Sequence, residues 1–258
     1  MQQNSRRTFL KKISLAGLAT TYMPLLDVET ISPANASTVK EDNLIFLFQG
    51  DSITDGNRGR NNDPNHIMGH GYAFSIASRV GADFPEKHFS FYNRGISGNR
   101  ITDLEARWEK DVLDLKPGVL SILVGVNDVN SVIMQKDSVN SEKFEQVYRV
   151  LLTETKTRLP GCLLVICEPF ILPVGRVKDD WDKWENEMRK LQNIAASLSK
   201  EFSAVFVPLQ TVFNKAVERA SSDYWIWDGI HPTVAGHELI TREWLKQVGK
   251  KLRFLKKY

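Results

Sequence analysis

The sequence predicts an α/β fold built on a doubly wound parallel sheet with five strands. Two observations support this prediction. Short apolar runs rich in β-branched and aromatic residues alternate with longer amphipathic stretches along most of the chain. Most of these runs are continuous instead of alternating between apolar and polar residues, which is typical of strands covered on both faces. Strand and helix repeated five times predict right-handed crossovers on the two faces of one sheet.

Five runs are predicted to be strands. They cover residues 44–49, 88–94, 119–124, 162–167 and 204–208. The fourth run contains both cysteines, Cys162 and Cys167. In a strand, residues five apart point to opposite faces and lie about 16 Å apart. We therefore expect no disulfide between them.

Five stretches are predicted to be helices, and they cover residues 71–80, 101–113, 141–158, 181–202 and 233–255. In the third stretch the apolar residues on one face are Phe144, Val147, Val150 and Leu151, and Ser141 can cap its first turn. In a doubly wound sheet the ligand site lies beyond the carboxyl ends of the strands. We therefore expect the functional residues in the loops that follow the strands.

Residues 1–36 are predicted to be a cleaved export signal. Residues 5–11, SRRTFLK, resemble the twin-arginine export signal. The apolar run over 13–26 is too short and too interrupted for a stable membrane anchor. Ala34 and Ala36 are the small residues that a signal peptidase reads. This interpretation leaves one domain over 37–258, exported across the bacterial cytoplasmic membrane to the periplasm or the medium. The alternative is an amphipathic N-terminal helix of the folded domain.

The charge balance argues against nucleic acid as the main partner. The chain has 34 Lys and Arg and 31 Asp and Glu, a net charge of +3. The basic residues near the C-terminus suit the solvated face and end of a last helix, and a phosphate- or membrane-binding patch is the alternative. His66 and His70 have a spacing that can bind a metal on a helix. Their segment is rich in Asn, Pro and Gly, which favours a loop, and we expect no metal site.

Four polar motifs carry the candidate chemistry. Ser52 follows the first strand in GDSIT, Gly98 follows the second in RGISGN, and Asn127 follows the third in GVND. The fourth motif, DGIH, lies just before the last helix and contains Asp228 and His231. The first three positions are those where the sheet rule places a site.

These residue types suit nucleophilic catalysis. A serine hydroxyl needs a base to take its proton, and His231 is the candidate base. Asp228 can accept the other ring N–H and so fix the tautomer. A tetrahedral intermediate needs hydrogen-bond donors for its oxyanion. The backbone N–H of Ser52 can serve if the turn opens a helix, and Gly98 can present its N–H without a side chain. The Asn127 amide can add a third donor.

Two aspartates are predicted to support the nucleophile. Asp51 precedes the serine and can accept N–H groups of the turn, and Asp55 with Gly56 can close that turn.

Together the four motifs resemble the ordered blocks of the SGNH, or GDSL-type, hydrolase family, over about residues 44–239. The resemblance implies a flavodoxin-like three-layer α/β/α sandwich and ester hydrolysis through a serine acyl-enzyme, without metal or cofactor. By position, it implies that Ser52 is nucleophile and oxyanion donor, and that Gly98 and Asn127 are further donors. It also implies that His231 is the base and Asp228 its orienting residue. The G-x-S-x-G motif of ordinary α/β-hydrolases is absent.

Aromatic and basic residues near the motifs favour a carbohydrate ester as substrate. Trp225 and Trp227 precede Asp228, Trp181 opens the helix after the fourth strand, and Arg58 lies in the polar loop after the nucleophile. Exposed tryptophans can stack on sugar faces, although aromatic residues also pack in cores. No long apolar stretch predicts an acyl-chain tunnel. We expect a serine esterase that acts on small acyl esters, above all acetyl groups on a glycan.

Two other classes of function remain open at this stage. A lysophospholipase or acyl-thioesterase would prefer long acyl chains and have a continuous apolar groove. A non-catalytic glycan-binding protein on a hydrolase scaffold would bind sugars unchanged when Ser52 is replaced by alanine.

The export hypothesis predicts a mature protein that begins at Ser37. Intact-mass spectrometry of protein recovered outside the cytoplasm should show loss of residues 1–36. Changing Arg6 and Arg7 to lysine keeps the charge and should block export, because the twin-arginine route reads the arginine pair. Recovery of exported protein that still carries Met1 would contradict the hypothesis.

Overall fold

The structure, a computed structural model, describes residues 41–61, 63–135 and 140–258. The predicted export signal lies outside these residues. The described part contains one parallel sheet whose strands are β1 (Ile45–Gly50), β2 (Ser90–Asn93), β3 (Val119–Leu123), β4 (Leu163–Cys167) and β5 (Val205–Val207). Their order is β2-β1-β3-β4-β5. This is the order of flavodoxin-like sheets, and it confirms the predicted doubly wound fold.

Helices cover both faces of this sheet. Those of the described residues are α1 (Ser52–Asp55), α2 (Tyr72–Asp83), α3 (Ile101–Glu105), α4 (Val126–Ile133), α5 (Ser141–Arg158), α6 (Trp181–Glu201), α7 (Leu209–Ala216), α8 (Ser222–Trp225) and α9 (Val234–Val248). On one face α9 packs against α2, α7 and α8, and on the other α3 to α6 pack together. Within the described ranges, none of the helices combines the length and apolarity needed to cross a membrane.

The helices differ from the prediction in three ways. The stretch 101–113 is not one helix, because α3 ends at Glu105 and Glu109–Leu113 forms a wider π-turn beside the buried Trp108. The last helix ends at Val248 and not at residue 255, since Gly249 follows it and a 3₁₀ turn begins at Arg253. Most of the C-terminal lysines therefore lie beyond α9. The short helices α1, α4, α7 and α8 were not predicted.

The core confirms most of the apolar pattern. Both faces of the central strands are covered, and every residue of β3 is buried. In α5, Phe144 and Leu151 are buried, whereas Val150 is half exposed. Cys162 and Cys167 are buried and unbonded, as their spacing predicts.

Two buried carboxyls lie at the carboxyl edge of the sheet. Asp51 follows β1, and Asp128 lies in the first turn of α4, after β3. Burial raises the pKa of each to about 7. Each carboxyl accepts one hydrogen bond from the backbone of another residue. Ile53 N–H donates to Asp51 at 3.0 Å, and Ile101 N–H donates to Asp128 at 3.2 Å. One such bond does not offset the loss of solvation.

The raised pKa of Asp128 predicts a pH-dependent stability. Between about pH 4 and pH 7 the folded protein keeps a proton that the unfolded chain has lost, so the free energy of unfolding falls as pH rises. Asp128→Asn cannot ionise, and we expect it to gain stability relative to the unmodified protein on going from pH 4 to pH 8. Urea denaturation at both pH values measures this. Asp114→Asn, at an exposed carboxyl, is the matched control. Parallel pH profiles for Asp128→Asn and the unmodified protein would contradict the expectation.

Candidate active site

Three loops bring Ser52, Gly98 and Asn127 to the carboxyl edge of the sheet. Ser52 is the first residue of α1, directly after β1. Gly98 follows β2, and Asn127 is the second residue of α4, after β3. Because β2, β1 and β3 are neighbours in the sheet, the loops that follow them are neighbours too. This is the edge at which a doubly wound sheet binds ligands.

His231 and Asp228, which precede α9, join Ser52 in a chain of hydrogen-bonded side chains. Ser52 Oγ lies 2.9 Å from His231 Nε2. His231 Nδ1 lies 2.8 Å from Asp228 Oδ2. With Nδ1–H donated to the carboxylate, the neutral ring presents Nε2 as an acceptor to the serine hydroxyl. The structure thus brings together the three side chains that the sequence assigned to one site.

The Asp228 carboxylate is held by several donors. Its Oδ1 accepts the backbone N–H groups of Ile230 at 3.0 Å and His231 at 2.7 Å. Arg176 Nη2 lies 2.5 Å from Oδ2. Burial alone would raise the pKa of Asp228, but the hydrogen bonds from the His231 ring and the backbone hold it well below its usual range. The carboxylate therefore stays ionised beside the histidine.

A loop after β4 supports the Asp228 loop. Leu172 N–H donates to Gly229 O at 3.1 Å, and Arg176 N–H donates to Asp228 O at 3.2 Å. Gly175 has a φ of +58°, and a Cβ there would lie 2.5 Å from Asp228 Cα. The close approach therefore requires glycine. Arg176 was not predicted to belong to the site, because no local sequence pattern marks a contact across 52 residues.

Three candidate donors lie in the loops that meet at the carboxyl edge of the sheet. Ser52 N–H is in the first turn of a helix, where backbone donors lack intrahelical partners. Gly98 has a φ of +85°, and no atom lies within 4 Å of where its Cβ would be, so its backbone borders open space. Asn127 Nδ2 donates one N–H to Asn99 O at 3.0 Å. Because an amide carries two such hydrogens, a second one is left for a ligand.

Asp51 and Asp55 hold the turn around Ser52. Asp51 caps α1 through its side chain. Asp55 accepts Ser97 N–H and Ser97 Oγ–H, both at 3.1 Å, and pairs with Arg60 at 2.7 Å. Burial alone would raise the pKa of Asp55, but the hydrogen bonds from Arg60 and the backbone lower it. Asp55 therefore ties the Ser52 turn to the loop that carries Gly98.

A cleft of about 290 Å³ opens in front of the serine. It is lined by Ser52, Ile53, Gly56, Asn57, His70, Trp227, His231, Pro232 and His237. Trp227 is 62% exposed. Its ring lies nearly parallel to that of His231, with centroids 6.3 Å apart. The cleft therefore combines one exposed aromatic face with polar groups and has few aliphatic side chains.

The other predicted substrate contacts lie elsewhere. Trp225 is buried, and its indole N–H donates to Ala220 O at 3.3 Å, so it packs in the core and does not line the cleft. Arg58 Nε donates to Gly95 O at 2.9 Å, which fixes the loop after the serine against the loop after β2. Trp181 lines a separate cavity.

Two histidines that were not assigned to the site line the cleft, His70 and His237. His237 Nδ1 accepts Tyr72 N–H at 3.1 Å, so the neutral ring carries its proton on Nε2. Burial, with the charges of His70 and His231, lowers the pKa of His237 to about 4. The only feature of the sequence that could have assigned His237 to the site is its position six residues after His231.

Within the described ranges, no group of three or more His, Cys, Asp and Glu is arranged to hold a metal ion.

Comparison with known proteins assigns this chain to a family. Residues 48–239 match the GDSL-like lipase/acylhydrolase family. An acetylxylan esterase from Geobacillus stearothermophilus is 33% identical over 210 residues, which cover 79% of this chain and 93% of that enzyme. The crystal structure of an acetylxylan esterase from the same organism aligns with a TM-score of 0.71 and 31% identity, over 81% of this chain and 95% of that one.

A second solved structure agrees with this assignment. The structure of a putative GDSL-like lipase from Parabacteroides merdae aligns with a TM-score of 0.77 and 38% identity. The alignment covers 81% of this chain and 97% of that one. The chain therefore belongs to the GDSL-like lipase/acylhydrolase family and is a carboxylic ester hydrolase.

Proposed function

We propose that this protein removes acetyl groups from a carbohydrate through an acyl-enzyme on Ser52. The observation that carries the mechanism is the hydrogen-bonded chain from Ser52 through His231 to Asp228 at the mouth of the cleft. The choice of a carbohydrate acetyl ester rests on the similarity to an acetylxylan esterase over 93% of that enzyme's length.

In the acylation step, Ser52 Oγ attacks the ester carbonyl carbon while His231 Nε2 takes the hydroxyl proton. The carbonyl π electrons move to the oxygen, which becomes the oxyanion of a tetrahedral intermediate. When the intermediate collapses, the bond to the sugar oxygen breaks. His231 returns the proton to that oxygen, and the sugar leaves as an alcohol. Asp228 keeps the ring oriented and stabilises its protonated form.

In the deacylation step, a water molecule attacks the acetyl-serine carbonyl as His231 Nε2 takes one of its protons. The second tetrahedral intermediate breaks the bond to Ser52 Oγ, which recovers the proton from His231. Acetic acid leaves and ionises to acetate in solution, and the free serine returns. In both steps we assign the oxyanion to the N–H groups of Ser52 and Gly98 and the second amide hydrogen of Asn127.

The cleft supports a short acyl group. Its apolar lining side chains are Ile53, Trp227 and Pro232, and its other side chains are polar. A long acyl chain needs a continuous apolar surface in the protein, because burial there offsets the free-energy cost of leaving a membrane or micelle. An acetyl group needs only a small site, and the exposed Trp227 offers a face on which a sugar ring can stack.

The proposal predicts a narrow preference in a series of p-nitrophenyl esters from acetate to palmitate. We expect the highest kcat/KM with acetate and a steep fall beyond butyrate. Acetylated xylan should release acetate. Ser52→Ala should lower kcat by at least about 10³-fold, because the nucleophile is lost while the fold remains. A maximum at eight carbons or longer would instead support a lysophospholipase or thioesterase. If the unmodified protein and Ser52→Ala both bind sugar and neither hydrolyses an ester, the result would support a glycan-binding protein.

The assignment of Asn127 to the oxyanion site has its own test. We expect Asn127→Ala to lower kcat on p-nitrophenyl acetate about 10²–10³-fold with little change in KM, because the lost donor acts mainly in the transition state. Asn130→Ala, one turn further along α4, is the matched control and should keep its activity. An Asn127→Ala enzyme with unchanged kcat would remove this residue from the oxyanion site.

A further inference from the structure

A second cavity, which we call the Trp181 cavity, lies between α6 and α7. Its volume is about 180 Å³. Trp181, at the start of α6, and Asn214, near the end of α7, are among its lining residues. The proposed reaction uses none of its side chains.

Two polar side chains of this cavity, Gln192 and Asn214, are hydrogen-bonded to Gln210. Gln210 Oε1 accepts Ile171 N–H at 3.1 Å and a Gln192 Nε2 hydrogen at 3.0 Å. Gln210 Nε2 donates to Ile171 O at 3.0 Å and to Asn214 Oδ1 at 2.9 Å. Gln192 Nε2 also donates to Pro169 O at 3.0 Å. The donors and acceptors of the Gln210 side chain are thus all engaged, and the two neighbouring amides are locked.

This network leaves one acceptor and one donor for a ligand. Both Gln192 Nε2 hydrogens are used, so its Oε1 is available as an acceptor. Asn214 uses Oδ1, so its Nδ2 is available as a donor. Within the described residues, neither atom forms a hydrogen bond. An acceptor and a donor held on the same glutamine suit a pair of hydroxyl groups, which both donate and accept.

The remaining lining groups fit the same ligand. Trp181 is only partly buried and offers aromatic surface. Glu185 and Arg189, which form an ion pair at 2.9 Å, also line the cavity. An aromatic face with a few placed polar groups is typical of a small-molecule site, and a pyranose ring presents an apolar C–H face and hydroxyl edges. We propose that the Trp181 cavity binds one sugar ring of a polysaccharide chain.

The position of the cavity suits a substrate that continues into the active site. Trp181 and Gln210 follow β4 and β5, at the same edge of the sheet as Ser52 after β1. In the sheet, β4 and β5 lie two and three strand spacings from β1, or about 10–15 Å. The segment that begins at Ile171 in the cavity reaches the site directly, since Leu172 N–H donates to Gly229 O. This inference rests on the proposed function: the chain that carries the acetyl group would also fill the cavity.

The test is binding of xylohexaose, which carries no ester, to the full chain by isothermal titration calorimetry. Trp181→Ala should raise Kd about tenfold, the effect of losing one modest stacking contact. Asn214→Ala should raise Kd several-fold. Asn186→Ala, at an exposed position of α6 outside the cavity, is the matched control for Asn214→Ala and should leave Kd unchanged. All three variants should keep the kcat/KM on p-nitrophenyl acetate, because that substrate is too short to reach the cavity.

The outcomes separate this inference from the proposed function. Unchanged Kd in Trp181→Ala and Asn214→Ala, or no binding of xylohexaose at all, would overturn the sugar site. Release of acetate from acetylated xylan by the unmodified protein would still support the proposed function in that case. Conversely, a protein that binds xylohexaose through Trp181 but deacetylates no glycan would keep the sugar site and overturn the proposed function. If Trp181→Ala fails to fold, the Kd for xylohexaose is measured with Asn214→Ala and Trp181→Phe instead. Unchanged Kd in both variants would overturn the sugar site.

Discussion

The hydrogen bond between Asp228 and His231 determines which ring nitrogen faces Ser52. Because Nδ1 is engaged by the carboxylate, Nε2 is the nitrogen that meets the serine hydroxyl. The carboxylate is itself fixed by backbone N–H groups two and three residues further on. The orientation of the histidine is therefore set within one turn, and Gly175 lets the loop after β4 pack closely behind that turn. The contact with Ser52 also depends on distant parts of the fold, since α9, which follows His231, packs against α2 and the sheet.

The aspartates around the nucleophile differ in charge because they differ in the number of donors around them. Asp228 and Asp55 each accept several hydrogen bonds, and the pKa of each lies below its ordinary value. Asp51 accepts few and is buried, and its pKa rises to about 7. In the proposed mechanism this division is useful. An ionised Asp228 stabilises the protonated histidine, whereas the raised pKa of Asp51 reduces the negative charge that it carries near Ser52.

The parts of the structure that were predictable from the sequence are those with a local signal. The strands and α5 have long apolar patterns, and the grouping of Ser52 with Gly98 and Asn127 follows from the rule that parallel strands end at one edge. The helices α1 and α8 have four residues each, too few for a period to show. Trp225 and Trp227 are two residues apart, and the sequence predicts both equally well as substrate contacts. In the structure their exposed fractions are 8% and 62%. Arg176 and His237 reach the site through tertiary contacts that no local pattern encodes.

The roles proposed for the residues also determine on which side of Ser52 the sugar lies. The donors for the oxyanion come from the loops after β2, β1 and β3. The proton for the leaving oxygen comes from His231 Nε2, so the sugar oxygen must lie next to that ring. The turn that carries His231 is bonded to the loop after β4, through Gly229 and Leu172. Ile171 of that loop lines the Trp181 cavity, where it is held by Gln210. In the proposed function, a glycan that leaves on the histidine side would be directed along this loop toward Trp181. The turn that would protonate the leaving sugar and the segment that would hold its chain are thus joined by a backbone hydrogen bond, from Leu172 N–H to Gly229 O.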